Sequence, residues 1–202
     1  MAAIIDYDAG NIKSVEKAVQ YLGHECVTTR DAEVIRSADH VILPGVGAFG
    51  DAMKRLEDYG LVSVIKEACG SGVPFLGICL GLQLLFDSSE EAPGVEGLGI
   101  LKGSIKKIPA NAGLKVPNIG WNSLSLHGQG RLFEGVEDGS FVYFVHSYYL
   151  DAKDKDIVKA DIDYGVTVDA SCESGNVFAC QFHPEKSSDT GLKILENFLN
   201  VH

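Results

Sequence analysis

The chain has 202 residues, 46% apolar and 22% charged, enough for one sizeable core and ordinary for a globular protein. Its net charge of −11 argues against nucleic acid or an anionic membrane as the main partner, and no apolar run approaches the ~20 residues of a membrane-spanning helix. The five cysteines (Cys26, Cys69, Cys79, Cys172, Cys180) include no C-x-x-C pair, and Met1-Ala2-Ala3-Ile4-Ile5-Asp6 lacks the basic stretch of a secretion signal, so reduced thiols, a cytoplasmic location and no metal cluster are expected.

Residues 2–5 read as a short buried strand. It runs into the turn-rich Asp6-Tyr7-Asp8-Ala9-Gly10-Asn11, where Asn11 or Ser14 is placed to cap a helix. Ile12, Val15, Val19 and Leu22 then recur at helical spacing, and Gly23 closes the helix. Residues 25–29 form a second strand, 31–37 a short helix and 41–43 a third strand, ended by Pro44-Gly45-Val46-Gly47. Helices over 48–59 and 61–70 follow, broken at Gly60. This alternation implies a mainly parallel sheet with flanking helices, and such sheets bind ligands at the carboxyl ends of their strands.

The apolar run from Val73 to Ile78 ends at Cys79, with Gly77 and Gly81 two residues to either side and a helical pattern after it. This is the spacing of a strand–turn–helix elbow that exposes a nucleophile, here a thiol. A helix N-terminus beneath the sulfur favours thiolate. The bland reading is a buried structural cysteine at a glycine-rich strand end.

After Phe86 the pattern changes. Residues 87–97 form an acidic loop, and short strands are expected over 98–108, 114–126, 141–150, 157–163, 167–172 and 177–182, with a hairpin turn at 173–176. Residues 131–135 suggest one helical turn, and Leu192, Leu195, Phe198 and Leu199 stripe a last helix. With no internal repeat or linker, residues 1–202 read as one α/β domain with a β-rich second half.

A cysteine nucleophile needs a base and a group to orient it. Of six histidines, His24, His40 and His127 have no partner signal, and His202 is terminal. His146 lacks an acidic neighbour and reads as a supporting or interface residue. His183 and Glu185 lie two apart around Pro184, so an extended strand end projects both the same way, and Glu185 can fix the imidazole tautomer. Cys180 is closest to His183 in sequence, but its opposite parity assigns it to packing.

Gly77-Ile78-Cys79-Leu80-Gly81-Leu82-Gln83 together with Gln181-Phe182-His183-Pro184-Glu185 resembles the class I (triad-type) glutamine amidotransferases. Ile5-Asp6-Tyr7 with Gly10-Asn11, Pro44-Gly45-Val46-Gly47-Ala48-Phe49, Asn118-Ile119-Gly120-Trp121-Asn122, Tyr143-Phe144-Val145-His146-Ser147-Tyr148 and Lys186-Ser187-Ser188 narrow the likeness. They resemble the glutaminase subunits of imidazole glycerol phosphate synthases, of histidine biosynthesis. The resemblance implies a class I glutamine amidotransferase-like fold and a Cys79–His183–Glu185 triad that hydrolyses glutamine through a thioester. It implies an oxyanion hole from the Leu80 backbone and the strand end around Val46 and Gly47. Glutamine would be held by Gln83 and Glu91, with backbone from Gly47, Ser147 and Tyr148. No cofactor is implied. The partner would be a (β/α)8-barrel cyclase subunit, which at ~250 residues must be a separate chain. Asn11, Asn118, Trp121, Asn122, Tyr143 and Lys186 are the expected interface residues. Another amidotransferase with the same triad, a different thiol hydrolase and a non-enzymatic regulatory module are the rival readings.

Overall fold

Strand β1 (Ala2–Ile5) is buried at every position, which requires apolar neighbours on both faces of the sheet. The computed structural model describes residues 1–110, 114–128 and 130–202. Helix α1 (Ile12–Tyr21) follows, then β2 (Cys26–Thr29), α2 (Ala32–Arg36), β3 (His40–Leu43), α3 (Phe49–Asp58), α4 (Leu61–Gly70), β4 (Phe75–Ile78) and α5 (Leu80–Leu84). Asp31 caps α2, its carboxylate accepting from the Glu33 and Val34 amides, and Gly60 enters α4 at φ 66°. Asn11 stands at the N-cap of α1 in the left-handed region, φ 70°, but its side chain makes no cap bond. The expected capping role is therefore not played, because that amide reaches elsewhere.

The second half contains β5 (Ser88–Ser89), β6 (Gly103–Lys107), β7 (Asn118–Ser123), β8 (Ser125–Leu126), β9 (Phe141–His146), β10 (Tyr148–Ala152), β11 (Val158–Asp163), β12 (Thr167–Ser174), β13 (Val177–Cys180) and α6 (Ser188–Leu199). The main sheet runs β2-β1-β3-β4-β13-β12-β10-β6-β5, with β11 beside β12 and β8. Pairing is parallel from β2 through β13 and antiparallel from β13 through β6. The β12–β13 hairpin turns at Gly175, φ 58°, as its sequence suggested. Several expectations change; the run 114–126, for one, keeps strands only over Asn118–Ser123 and Ser125–Leu126. Residues 98–108 keep a strand only over Gly103–Lys107, since the Leu98, Ile100 and Leu101 amides fold back onto Leu84 and Leu85. The run 141–150 is broken at Ser147, so that β9 pairs with β7 in a separate two-stranded sheet while β10 joins the main one.

Alternate strand residues feed two apolar layers. Ala3, Ile5, Val41, Leu43 and Phe75 pack with helices α3 and α4, while Ile4, Ile42, Leu76 and Ile78 pack with α1 and α6. Among the described residues no helix is long and apolar enough to cross a membrane. The register matters most at one pair: Ile78 of β4 stands opposite Cys180 of β13 in parallel alignment. Whatever follows these two strands therefore emerges side by side at one edge, flanked by the loop after β3.

Candidate active site

Cys79 occupies the tight turn between β4 and α5 at φ 55° and ψ −107°. A non-glycine residue held there stores roughly 1–3 kcal/mol of strain, which the surroundings must over-determine. They do so by contact. A Cβ on Gly81 would stand 1.8 Å from the Leu43 carbonyl oxygen, and one on Gly77 would stand 2.7 Å from the Gly81 oxygen. The Cys79 amide is tied to the Cys180 carbonyl at 2.8 Å. The elbow anticipated from Gly77 and Gly81 is thus present, although its helix is only five residues long.

His183 lies just past the end of β13, with its amide donating to the Tyr143 carbonyl at 2.9 Å. Pro184 opens a 3-10 turn, Pro184–Lys186, closed by the Ser187 hydroxyl on the His183 carbonyl at 2.6 Å. The turn, not strand alternation, brings His183 Nδ1 to Glu185 Oε1 at 2.8 Å. Both side chains are only 1% exposed. Asn11 Nδ2 donates to the same Glu185 oxygen at 2.7 Å, so a residue expected at an interface also orients the carboxylate. His183 Nε2 and Glu185 Oε2 are buried and have no hydrogen-bond partner among the described residues. Burial disfavours the imidazolium, but Cys79 and Glu185 outweigh it and His183 is pushed up to about 10.

The parity argument against Cys180 does not apply, because β13 ends at that residue and the chain turns before His183. Burial excludes it instead. Cys180 is fully enclosed, and desolvation together with the charges of Glu185 and Cys79 raises its thiol well above the ordinary range.

A cleft of about 320 Å³ opens beside Cys79, lined by Val46, Gly47, Leu80, Gln83, Glu91, Pro117, Val145, His146, Ser147 and Tyr148. Every residue expected to hold substrate borders it. Gln83 uses its amide nitrogen on the Tyr148 carbonyl (3.1 Å) and on Gln181 Oε1 (3.0 Å), leaving its oxygen as the end available to a ligand. Glu91 Oε2 accepts the Phe49 amide at 2.7 Å, capping a helix whose N-cap residue, Ala48, has no side chain for the task. The Leu80 amide donates to the Gly45 carbonyl at 3.2 Å. Tyr7, buried, donates to the Pro44 carbonyl at 2.9 Å, and its hydroxyl fills the place a Gly45 Cβ would take.

His146 donates from Nδ1 to the Tyr148 carbonyl at 2.9 Å and receives Asn118 Nδ2 at Nε2, 3.2 Å. Burial, with His183 nearby, lowers it to about 4 against the opposing Tyr148 carbonyl, so it is neutral at neutral pH. Asn118, expected at the interface, is 2% exposed in this chain and steadies His146. Trp121 and Lys186 are exposed, while Asn11, Asn122 and Tyr143 are half-buried. Trp121 stacks edge-on with Tyr143 across the β7–β9 ladder and stands beside exposed Ile119 and Phe141. Sequence reasoning placed Gln181 and Tyr7 within motifs but gave neither a role. The signal for Gln181 was a lone amide inside the apolar run that ends at Phe182.

The family profile described as Glutamine amidotransferase class-I matches residues 3–201. Over 201 residues the chain is 53% identical to "Imidazole glycerol phosphate synthase subunit HisH" of Bacillus cereus, covering 100% of this chain and 95% of that one. It is 49% identical over 198 residues to the subunit of the same name from Caldanaerobacter subterraneus, covering 98% and 97%. Among solved structures it resembles "Crystal structure of glutamine amidotransferase", with TM-score 0.74, 22% identity and coverage of 97% and 98%. It also resembles "Structure of PurLQS from Thermotoga maritima", with TM-score 0.74, 22% identity and coverage of 98% and 97%. At this identity the structural likeness speaks for the fold.

Proposed function

The chain belongs to the class-I glutamine amidotransferases and, through its full-length relatives, to the HisH subunits of imidazole glycerol phosphate synthase; from that premise we propose how its residues divide the work. The subunit hydrolyses glutamine to glutamate and ammonia. It passes the ammonia to a cyclase subunit that makes imidazole glycerol phosphate and aminoimidazole carboxamide ribotide in histidine biosynthesis. We assign it one domain over residues 1–202 and a cytoplasmic location.

Cys79 Sγ attacks the side-chain amide carbon of glutamine. The thiol proton resides on His183, which returns a proton to the departing ammonia. Glu185, steadied by Asn11, holds the imidazole in register. The C–N bond breaks and a glutamyl thioester remains. Water then attacks it, giving its proton to His183, and the C–S bond breaks to restore the sulfur. The unpartnered His183 Nε2 beside the strained elbow is the observation that carries this reading.

Gln83 presents its amide oxygen, and Glu91 its second carboxylate oxygen, to the substrate ammonium. The Gly47, Ser147 and Tyr148 backbone closes the other side. The tetrahedral oxyanion is held by the Leu80 amide and by a backbone amide around Val46 and Gly47. Because Leu80 N–H is engaged by Gly45 in this state, the hole forms only when the loop after β3 shifts. The cyclase docks on the face that carries Val46, Ile119, Trp121 and Phe141, all exposed apolar side chains, with Asn122, Tyr143 and Lys186 around them.

The test is glutamate release from glutamine with and without the cyclase and its nucleotide ligand. Low activity alone and strong stimulation in the complex are expected. Full activity of the isolated chain, indifferent to the cyclase, would refute the coupled assignment.

A further inference from the structure

We propose that Gln181 is a hydrogen-bond donor to the reacting sulfur, stabilising Cys79 as a thiolate; the inference rests on Cys79 being the nucleophile. Gln181 has no exposed surface, so each end of its amide must find a partner inside the protein. Its Nε2 lies 3.6 Å from Cys79 Sγ, and its Oε1 lies 3.0 Å from Gln83 Nε2.

The direction of this amide is fixed by logic that does not involve the sulfur. The Tyr148 carbonyl can only accept, so the Gln83 atom facing it at 3.1 Å is nitrogen. The same nitrogen faces Gln181, so the Gln181 atom opposite it is oxygen. Its nitrogen therefore points at Cys79. A fixed backbone carbonyl thus sets the polarity of two successive amides and ends in an N–H aimed at sulfur.

The other polar neighbour of the sulfur has the opposite preference. The Val145 carbonyl, 3.9 Å away, can accept from a thiol but repels a thiolate. Gln181 N–H favours the thiolate, as a donor to a charged acceptor does. The Gln181 backbone is anchored as well, its main-chain N–H donating to the Ala170 carbonyl at 2.8 Å. Gln83 gains a second role, because the residue that meets the substrate also locks the donor that meets the nucleophile.

The test uses the full chain with its cyclase partner and the variants Gln181→Met and Gln181→Glu. Methionine keeps the volume but removes both the N–H and the oxygen that accepts from Gln83, which keeps its bond to the Tyr148 carbonyl; glutamate keeps the shape, and burial beside Gln83 Nε2 holds it as the carboxylic acid with its O–H toward the sulfur. Thiolate is read from its far-ultraviolet absorbance, as the difference from Cys79→Ser in each background. In wild type this difference is expected to be present at neutral pH. In Gln181→Met it is expected to fall several-fold and kcat by about tenfold, the order of one hydrogen bond to a charged atom, with KM for glutamine changed little. Gln181→Glu, which keeps a donor toward the sulfur as O–H, is expected to fall less than Gln181→Met. Unchanged thiolate absorbance in a folded Gln181→Met would overturn the proposal, as would a loss expressed in KM alone. The nucleophile assignment fails separately: acid-quenched wild type would then carry no glutamyl adduct on Cys79, whatever the state of Gln181.

Discussion

Acid should weaken this fold through one residue in particular, His146. Its imidazole is enclosed between the Asn118 amide, the Tyr148 carbonyl and the Phe144 ring, 5.4 Å away. Burial lowers it from the ordinary 6.5 to about 4. The sign follows from linkage. The unfolded chain takes up this proton first as pH falls, so stability present above the unfolded value is lost on the way down through the folded one. At ~1.4 kcal/mol per unit, His146 removes about 2 kcal/mol between pH ~8 and ~5, and about 3 kcal/mol by pH ~4. His183 acts in another window. Its value is raised to about 10, so its stabilisation is complete below ~6.5 and is lost only as pH rises toward ~10. His40, lowered by burial, works in the same direction as His146, so a variant is needed to separate them. Urea unfolding of wild type and His146→Gln across pH ~4.5–8 is the assay. The variant should be the less stable at pH ~8 by roughly 1–2 kcal/mol, from the disturbed Asn118 and Tyr148 bonds, yet show the shallower acid slope, so that the two curves converge on acidification. Parallel curves would refute the reasoning, because they would mean that His146 binds its proton equally in both states.

Two further outcomes follow from the elbow. Cys79→Ala should abolish glutaminase turnover while Cys180→Ala leaves it within a few-fold of wild type, measured as glutamate release in the complex; the reverse result would mean that burial excluded the wrong sulfur. Gly81→Ala should destabilise the chain by more than ~3 kcal/mol in chemical unfolding, since a Cβ there meets the Leu43 carbonyl at 1.8 Å and backbone on both sides must move; a near-neutral effect would mean that α5 can back away from β3.

Much of this architecture was legible because it depends on local rules. The buried runs of β1, β3 and β4, the helix break at Gly60 and the glycine spacing around Cys79 each specify their element without help from distant residues. What sequence left hidden depends on geometry between distant segments. Nothing local shows that Asn11 bonds Glu185, 174 positions away, in place of capping α1. Nothing in the alternating run 141–150 marks Ser147 as the point where the chain leaves one sheet for another. The His183–Glu185 pair was found by assuming an extended strand, whereas the chain makes it with a proline-initiated turn. Two spaced residues are brought together equally well by either conformation, so the pairing survived an incorrect premise. For Cys180 the same premise supplied a reason that burial had to replace.

In the mechanism proposed above the loop after β3 shifts to complete the oxyanion hole, and its hydrogen bonds set what that shift costs. Leu80 N–H, the donor next to the nucleophile, rests on Gly45 at 3.2 Å, and Tyr7 holds the adjoining Pro44 carbonyl at 2.9 Å. Each such bond is worth about 1 kcal/mol net, because the groups released find other partners. A completed oxyanion hole, in contrast, contributes roughly 3–4 kcal/mol per donor to the transition state. Moving the loop therefore costs less than one donor returns, and a modest push suffices. Val46, at 38% exposed, stands in the middle of that loop and beside the cleft. Gly45 and Gly47 flank it, and Gly47 already sits at φ 110°. A partner that packs on Val46 gains apolar burial at the one position where small backbone rotations to either side redirect an amide toward the sulfur. Tyr7 limits how far the motion can spread, because its hydroxyl holds the Pro44 carbonyl at 2.9 Å and fills the space beside Gly45.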